Sequence, residues 1–264
     1  MKILIRGAGD IATGIALRLY RAGMQVVMTD LPAPTAIRRT VCFSQAIILG
    51  EMTVEDVTAR RAETPDQAEA LLAQGLIPVL ADPDCTCRTR LRPDALVDAI
   101  LAKRNLGTKM DDAPIVVGIG PGFTAGEDCH AVVETMRGHT LGRVIYRGSA
   151  LPNTNIPGLI GGYAGERVLR APAEGIFCQK LEIGAVVRAG DIAGEVAGQP
   201  MRCTIDGVLR GILADGTPVF RGMKAGDVDP RCKPEYCTTA SDKALAVGGG
   251  VLEALLHFRC PPTL

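Results

Sequence analysis

The first twelve residues constrain this chain more than any other stretch. Lys2-Ile3-Leu4-Ile5-Arg6 is a short apolar run suited to a buried strand, and Gly7-Ala8-Gly9-Asp10-Ile11-Ala12 follows at once. That string fits G-x-G-x-x-G/A, with Ala12 in the third small position. Ile11, Ile15, Leu17 and Leu19 then recur with helical spacing until Gly23. Met24 to Met28 reads as a second strand ending at Asp30, near the separation expected of a ribose-binding acid. Gly7 permits a tight turn, Gly9 lets a phosphate approach the backbone, and the helix N-terminus offers N–H donors and a positive dipole end. The same glycines would also serve close packing of strand on helix. Asp10 stands where a phosphate would lie. A carboxylate there repels an anion unless a metal intervenes, or it caps the helix instead. Arg38 and Arg39 follow the second strand, where they could pair with a phosphate such as that of NADP or form a solvated basic pair.

Beyond this opening, residues 65–74 carry a helix pattern and residues 77–81 a strand pattern. Residues 93–105 fit a buried strand or a helix face, whereas Ile115 to Ile119 and Arg143 to Tyr146 read as strands. Strands alternating with helices predict a parallel sheet with ligands at the strand C-termini. A second glycine-rich loop, Gly118-Ile119-Gly120-Pro121-Gly122-Phe123-Thr124-Ala125-Gly126, follows one of these strands and can form an anion nest, with Gly120, Gly122 and Thr124 as its donors. The spacing of His130, Glu134 and Arg137 then predicts one face of a helix. Imidazole, carboxylate and guanidinium beside such a loop make a candidate acid/base or ligand-orienting set; the alternative is an exposed polar face. Residues 149–163 are polar, glycine-rich and uncharged, as in a linker or an active-site loop.

Composition removes several classes of function. Lys+Arg and Asp+Glu both number 29, aromatics are 3% and Trp is absent, so there is neither a basic footprint nor a stacking platform for nucleic acid. The apolar N-terminal run is too short for a signal-peptide core. The uncharged run from Gly148 to Gly165 is broken by Pro152, Pro157 and glycines, so it does not make a spanning helix. A cytoplasmic chain with no membrane partner is expected. The nine cysteines would then be reduced. Cys85 and Cys87 flank one residue, and four residues separate Cys232 from Cys237. Neither pair has the common spacing of a zinc site, so no metal ligands are assigned and ordinary thiols are expected.

Residues 170–229 repeat themselves at a constant offset of 32, from Arg170 to Arg202. Glu174-Gly175-Ile176-Phe177 matches Asp206-Gly207-Val208-Leu209, and Gly184, Val187 and Gly190 match Gly216, Val219 and Gly222. Ala193-Gly194-Glu195-Val196 matches Ala225-Gly226-Asp227-Val228. Two copies of a strand–turn–strand unit predict a small pseudo-twofold β-structure, which resembles the barrel-sandwich fold of biotinyl and lipoyl carrier domains. The junction where such carriers hold their modified lysine is Gly198-Gln199-Pro200 here, so a swinging-arm role is excluded. Finally, residues 241–258 carry a helix pattern that includes Gly248-Gly249-Gly250. Glycines there cost about 1 kcal/mol each relative to Ala and imply a close approach or a break between two helices.

Several ordered strings together carry a family resemblance. They are Arg6-Gly-Ala-Gly-Asp10-Ile-Ala, Ile37-Arg-Arg39, Gly118 to Gly126, His130-Ala-Val-Val-Glu134-Thr-Met-Arg137-Gly-His139, Leu141-Gly-Arg143-Val, Ser241-Asp-Lys-Ala and Gly248-Gly-Gly-Val-Leu-Glu253-Ala. From Ile3 to about Leu256 the chain resembles the selenium-dependent molybdenum hydroxylase system proteins. It is distantly similar to xanthine dehydrogenase accessory proteins. The resemblance implies a maturation or accessory factor for such hydroxylases that handles a molybdopterin-type cofactor. It assigns no catalytic residue and no chalcogen-carrying cysteine.

The resulting expectation is an α/β chain. Residues 1–150 form a Rossmann-like parallel-sheet domain, residues 166–230 a duplicated, barrel-sandwich-like β domain, and residues 235–264 a helix that packs on the first domain. Gly7, Gly9, Asp10, Asp30, Arg38, Arg39, Gly120, Gly122 and Thr124 are the candidate cofactor-binding residues. His130, Glu134 and Arg137 are the candidate catalytic ones. The alternatives are an NAD(P)-dependent oxidoreductase and a non-enzymatic scaffold with a vestigial Rossmann site. Expected partners are a molybdenum hydroxylase or its assembly proteins, a small-molecule ligand and a second copy of the chain.

Overall fold

The computed structural model describes residues 1–259. The chain forms two units. One comprises Met1–Pro34, Cys42–Thr154 and the residues from Ala240 on; the other comprises Thr35–Val41 and Asn155–Thr239. The division between Thr154 and Asn155 falls inside the uncharged stretch. Residues 35–41, which the sequence reading places with the N-terminal domain, belong to the second unit.

The first unit opens with β1 (Lys2–Arg6), α1 (Asp10–Arg21) and β2 (Gln25–Asp30). There follow α2 (Gln45–Leu49), the hairpin of β3 (Glu51–Val54) and β4 (Val57–Ala62), α3 (Pro65–Ala73) and β5 (Ile77–Ala81). Next come α4 (Arg88–Leu91), β6 (Ala95–Asp98) and β7 (Ile115–Ile119). Four short strands follow: β8 (Thr124–Ala125), β9 (Ala131–Val133), β10 (Val144–Ile145) and β11 (Gly148–Ser149). The unit closes with α5 (Asp242–Arg259).

A nine-stranded sheet in the order β10-β9-β7-β6-β1-β2-β5-β4-β3 organises this unit. Every neighbouring pair from β9 across to β4 is parallel, and β10 and β3 add antiparallel edges. Ile3, Leu4 and Ile5 of β1 and Val26, Val27 and Met28 of β2 are all fully buried. Continuous apolar runs are what a parallel strand covered on both faces requires. The chain starts in the middle of the sheet. It winds to one side through β2 and β5, then crosses to lay β6 on the other flank of β1. The winding therefore reverses between β1 and β6.

One sequence-derived element is absent. His130, Glu134 and Arg137 do not lie on a helix: Ala131–Val133 is a strand, parallel to β7. Three small or β-branched apolar residues extend readily against a buried neighbour, and that pairing outweighs the helical spacing of the polar residues. In residues 93–105 the strand reading holds over Ala95–Asp98.

Helix α5 is continuous through its three glycines. Gly248 faces α1, where an added Cβ would stand 2.9 Å from the Gly14 carbonyl oxygen. Gly250 faces the loop before β10, where a Cβ would stand 2.2 Å from the Gly142 carbonyl oxygen. Close approach by other backbone, rather than a break, accounts for them.

The second unit contains β12 (Val168–Arg170), β13 (Gly175–Gln179), β14 (Val186–Val187) and β15 (Ile192–Val196). It continues with β16 (Gln199–Arg202), β17 (Gly207–Ile212), β18 (Pro218–Val219) and β19 (Lys224–Asp229). Two antiparallel four-stranded sheets result, β12-β19-β17-β14 and β16-β15-β13-β18. The sequence repeat is visible in the hydrogen bonds. Gly184 N–H donates to Leu209 O and Gly216 N–H to Phe177 O, both pairs related by the offset of 32. Gly190 N–H donates to Cys203 O and Gly222 N–H to Ala171 O. Arg170 donates to Gly222 O and Arg202 to Gly190 O. Each copy lends its short strand to the other: Val187 pairs with Gly207, and Val219 with Gly175. A pseudo-twofold axis therefore relates the copies, and neither completes its sheet alone. At one side, buried Asp227 accepts from Arg167 at 2.7 Å and from Arg210 at 2.9 Å.

Among the described residues, no helix is long and apolar enough to cross a membrane.

Candidate functional site

The turn between β1 and α1 lies at the carboxyl edge of the sheet. Its two glycines have different physical grounds. Gly7 has φ +105°, and a Cβ there would stand 2.9 Å from the Ala99 carbonyl oxygen, so backbone and packing both demand glycine. Gly9, the N-cap of α1, has an ordinary φ of −70°. Nothing lies within 4 Å of where its Cβ would be. The chain itself does not need glycine at position 9, and the space in front of the α1 N-terminus is open there.

Asp30, at the end of β2, reaches this turn. Its Oδ2 accepts from Ala8 N–H at 2.7 Å and its Oδ1 from Leu31 N–H at 2.7 Å. Burial pushes its carboxyl above the usual carboxylate range, against the lowering effect of those two amides. Asp10 is the first residue of α1, not its cap, and its carboxylate accepts from Ile11 N–H at 2.8 Å. It thus competes for the positive end of α1 with any incoming anion.

On the other flank of β1, residues the sequence reading assigned to no site surround a cavity of about 160 Å³. Arg6 and Asp98 end β1 and β6 in register and form a buried pair at 3.4 Å. Thr108 donates to Asp98 at 2.6 Å and accepts from Arg6 at 3.0 Å. Arg6, Arg88, Asp84, Asp112, Thr108 and Cys85 line the cavity. Arg88 pairs with Asp112 at 3.1 Å, so the lining carries balanced charge. The signal for this site was a charged residue closing each of two apolar strands, which is uncommon in a buried strand without a partner.

Two of the three expected donors of the second glycine-rich loop, Gly120 and Thr124, are used internally. Gly120 N–H donates to Val133 O at 2.9 Å, Thr124 N–H to the Asp128 carboxylate at 2.8 Å and Gly126 N–H to Cys129 O at 2.8 Å. A Cβ at Gly120 would stand 2.6 Å from Thr135 Oγ1, and one at Gly122 2.6 Å from Arg104 Cα. These glycines answer to packing, and the Gly120 and Thr124 amides are already taken by partners within the chain.

The proposed acid/base set is dispersed into three structural tasks. His130 Nδ1 accepts from Val116 N–H at 3.0 Å, and burial holds its pKa below the ordinary value. Buried Glu134 spans two loops. Its Oε1 accepts from Thr135 and Met136 N–H, both at 2.7 Å, and its Oε2 from Leu151 N–H at 2.8 Å. Arg137 grips Asp242, at the start of α5, through two bonds of 2.6 and 2.7 Å. None of the three faces the Gly9 turn as an acid/base group.

Arg38 and Arg39 lie in the second unit. Arg38 donates to Tyr236 O at 2.9 Å and Thr239 O at 3.3 Å; Arg39 donates to Ile212 O at 3.0 Å and Gln179 Oε1 at 2.9 Å. They tie segment 35–41 to its own unit rather than meeting a 2′-phosphate. Of the expected cofactor residues, the structure brings Gly7, Gly9, Asp10 and Asp30 together. It does not bring Gly120, Gly122 or Thr124 into that cluster.

No family model matches the chain. The chain is similar to "Uncharacterized protein YqeB" of Escherichia coli (strain K12), with 52% identity over 254 residues. The alignment covers 96% of this chain and 47% of the relative, so the chain spans about half the relative's length. Two solved structures share slight likeness. An aspartoacylase family protein from Mesorhizobium loti is 18% identical over 24% of this chain and 23% of its own, with a TM-score of 0.23. The product-bound ectoine utilization protein EutE (DoeB) from Ruegeria pomeroyi is 12% identical over 77% and 57%, with a TM-score of 0.22. Neither bears on the fold.

Proposed function

We propose that this chain is an accessory factor in the maturation of selenium-dependent molybdenum hydroxylases, and that it binds a molybdopterin-type cofactor or a nucleotide at the Gly9 turn. In this reading the first unit is Rossmann-like and the second a barrel-sandwich-like module. The strings that resemble the selenium-dependent molybdenum hydroxylase system proteins support the process. The observation that carries the binding site is the open space at Gly9, on a helix N-terminus beside the acid that ends β2. The α1 N-terminus takes a phosphate, and Asp30, whose oxygens each keep an accepting lone pair, takes a hydroxyl or a pterin amino group. A molybdopterin supplies the metal-binding dithiolene; the chain supplies docking. A partner hydroxylase or its assembly proteins then receive the ligand. The structural tasks of Arg38 and Arg39 weigh against an NADP-dependent oxidoreductase.

Anaerobic purification from a host that makes molybdopterin, followed by denaturation and mass spectrometry of released small molecules, tests this. A pterin or its dinucleotide is expected. NAD(P) would instead mark an oxidoreductase, and an empty protein a scaffold. Gly9→Val should fold with unchanged thermal stability, because its φ suits valine and no atom lies within 4 Å of the added Cβ, and should lose the ligand at least about tenfold, which corresponds to 1.4 kcal/mol. Retention of ligand by this variant overturns the site.

A further inference from the structure

The loop after β5 is built around a pair of thiols. Cys85 has φ +57°, a left-handed conformation that residues other than glycine seldom adopt. Asp82 holds it there. Its carbonyl accepts from Cys85 N–H at 3.1 Å, its Oδ2 from Cys87 N–H at 2.8 Å and its Oδ1 from the Thr86 hydroxyl at 3.1 Å. Arg88 donates to the Cys85 carbonyl at 3.0 Å. The Cys85 sulfur, itself almost buried, accepts from the Thr29 hydroxyl at 3.8 Å, and Cys85 lines the cavity at the end of β1.

Hydrogen bonds to this sulfur favour its ionisation, while the charge of Asp82 outweighs that of Arg6. Arg6 faces it from β1 and Thr29 from β2; Asp82 opposes them. The Cys87 thiol bond, with help from Thr29 and Arg6, holds Cys85 below the ordinary thiol value, despite burial and Asp82. Cys87 moves the other way, raised chiefly by its bond to Cys85. By contrast, burial pushes Cys129 and Cys203 up to about 11.

We propose that Cys85 and Cys87 form a thiol–disulfide exchange site, with Cys85 attacking a low-molecular-weight disulfide that enters the cavity and Cys87 resolving the adduct. Cys85 S⁻ displaces one thiolate from RS–SR and forms Cys85–S–SR. Its charge is then gone, and with it the main cause that kept Cys87 protonated. The Cys87 proton passes to the departing RS⁻. Cys87 S⁻ attacks the Cys85 sulfur, expels the second RS⁻ and closes a Cys85–Cys87 disulfide. Two protein thiols are oxidised and one disulfide is reduced to two thiols. The site stands independently of any ligand at Gly9.

The test treats the reduced full-length chain with 2-hydroxyethyl disulfide at pH 7, quenches with acid and maps the products by mass spectrometry. Wild type should end with Cys85 joined to Cys87. Cys87→Ser should accumulate the mixed disulfide on Cys85, and Cys85→Ser should leave Cys87 unmodified over the same time. Cys85 should react at least roughly tenfold faster than Cys129, a buried thiol without these neighbours. Thr29→Val should move the pH midpoint of the Cys85 reaction upward, and Thr29→Ser should restore it. If Cys85 in the folded chain reacts no faster than Cys129, or if Cys87→Ser traps no adduct while a urea-unfolded control is fully modified, the proposal is overturned.

Discussion

At the scale of single residues, the chain separates groups that hold its loops from groups left facing open space. His130 illustrates the first kind. Its Nδ1 accepts the Val116 amide, so the neutral Nε2–H tautomer is the one that fits, and burial holds its pKa below the ordinary 6.5. An imidazole whose folded pKa is depressed binds fewer protons folded than unfolded, so stability should be full above pH 6.5 and fall as pH drops from there towards the folded value. Denaturant midpoints at a series of pH values check this. His130→Asn, whose Oδ1 can accept the same amide without titrating, should flatten that part of the profile. An unchanged profile would mean that His130 is not held neutral. Sequence alone cannot separate such a residue from a catalytic one: a histidine and a carboxylate near glycines look the same whether their partners are substrates or backbone amides. Glu134, with three backbone donors, is the clearest case.

At the scale of elements, apolar runs were legible and short pairings were not. The bounds read for β5 and β7 coincide with the strands, because Ile77 to Ala81 and Ile115 to Ile119 are unbroken runs that only a covered parallel strand accommodates. The hairpin of β3 and β4 carries charges on its exposed face, among them Glu51 and Arg60, and escaped notice. The duplication was legible because an offset survives any ambiguity of helix or strand, but the exchange of short strands between copies depends on tertiary pairing. In α5 the cost of glycine could be read, and the structure supplies its cause. Gly250→Ala should therefore destabilise the first unit despite the better helix propensity of alanine, which favours it by about 1 kcal/mol. A Cβ 2.2 Å from the Gly142 oxygen and 2.8 Å from Val133 Cγ1 forces backbone apart, and overpacking of this kind costs about 1–3 kcal/mol. Urea titration of the variant measures the net loss. A gain in stability would show that α5 can shift without cost.

At the scale of the whole molecule, the chain leaves the first unit and returns to it, and the return supplies part of the core. Helix α5 packs on α1 and on β7, β9 and β10, and it buries Val247, Val251 and Leu255. Each fully buried side chain of this size contributes about 1.5–3 kcal/mol. Three of them amount to a large part of the 5–15 kcal/mol that holds a typical domain together. Arg137 and Glu134 add to the same closure: one binds Asp242 at the start of α5, the other pins the loops that follow β9. A chain ending at Thr239 should consequently lose cooperative unfolding of the first unit. The second unit ends at that residue, and its two sheets are built from β12 to β19. Circular dichroism and amide exchange on residues 1–239 should show protected amides in β13, β15, β17 and β19 and fast exchange in β1 and β2. A synthetic peptide of residues 240–264 added in trans should restore protection to β1 and β2 if the helix acts by packing. If β1 and β2 stay protected without it, the parallel sheet carries its own stability, and the glycines of α5 would need another explanation than the close approach that the helix makes to α1.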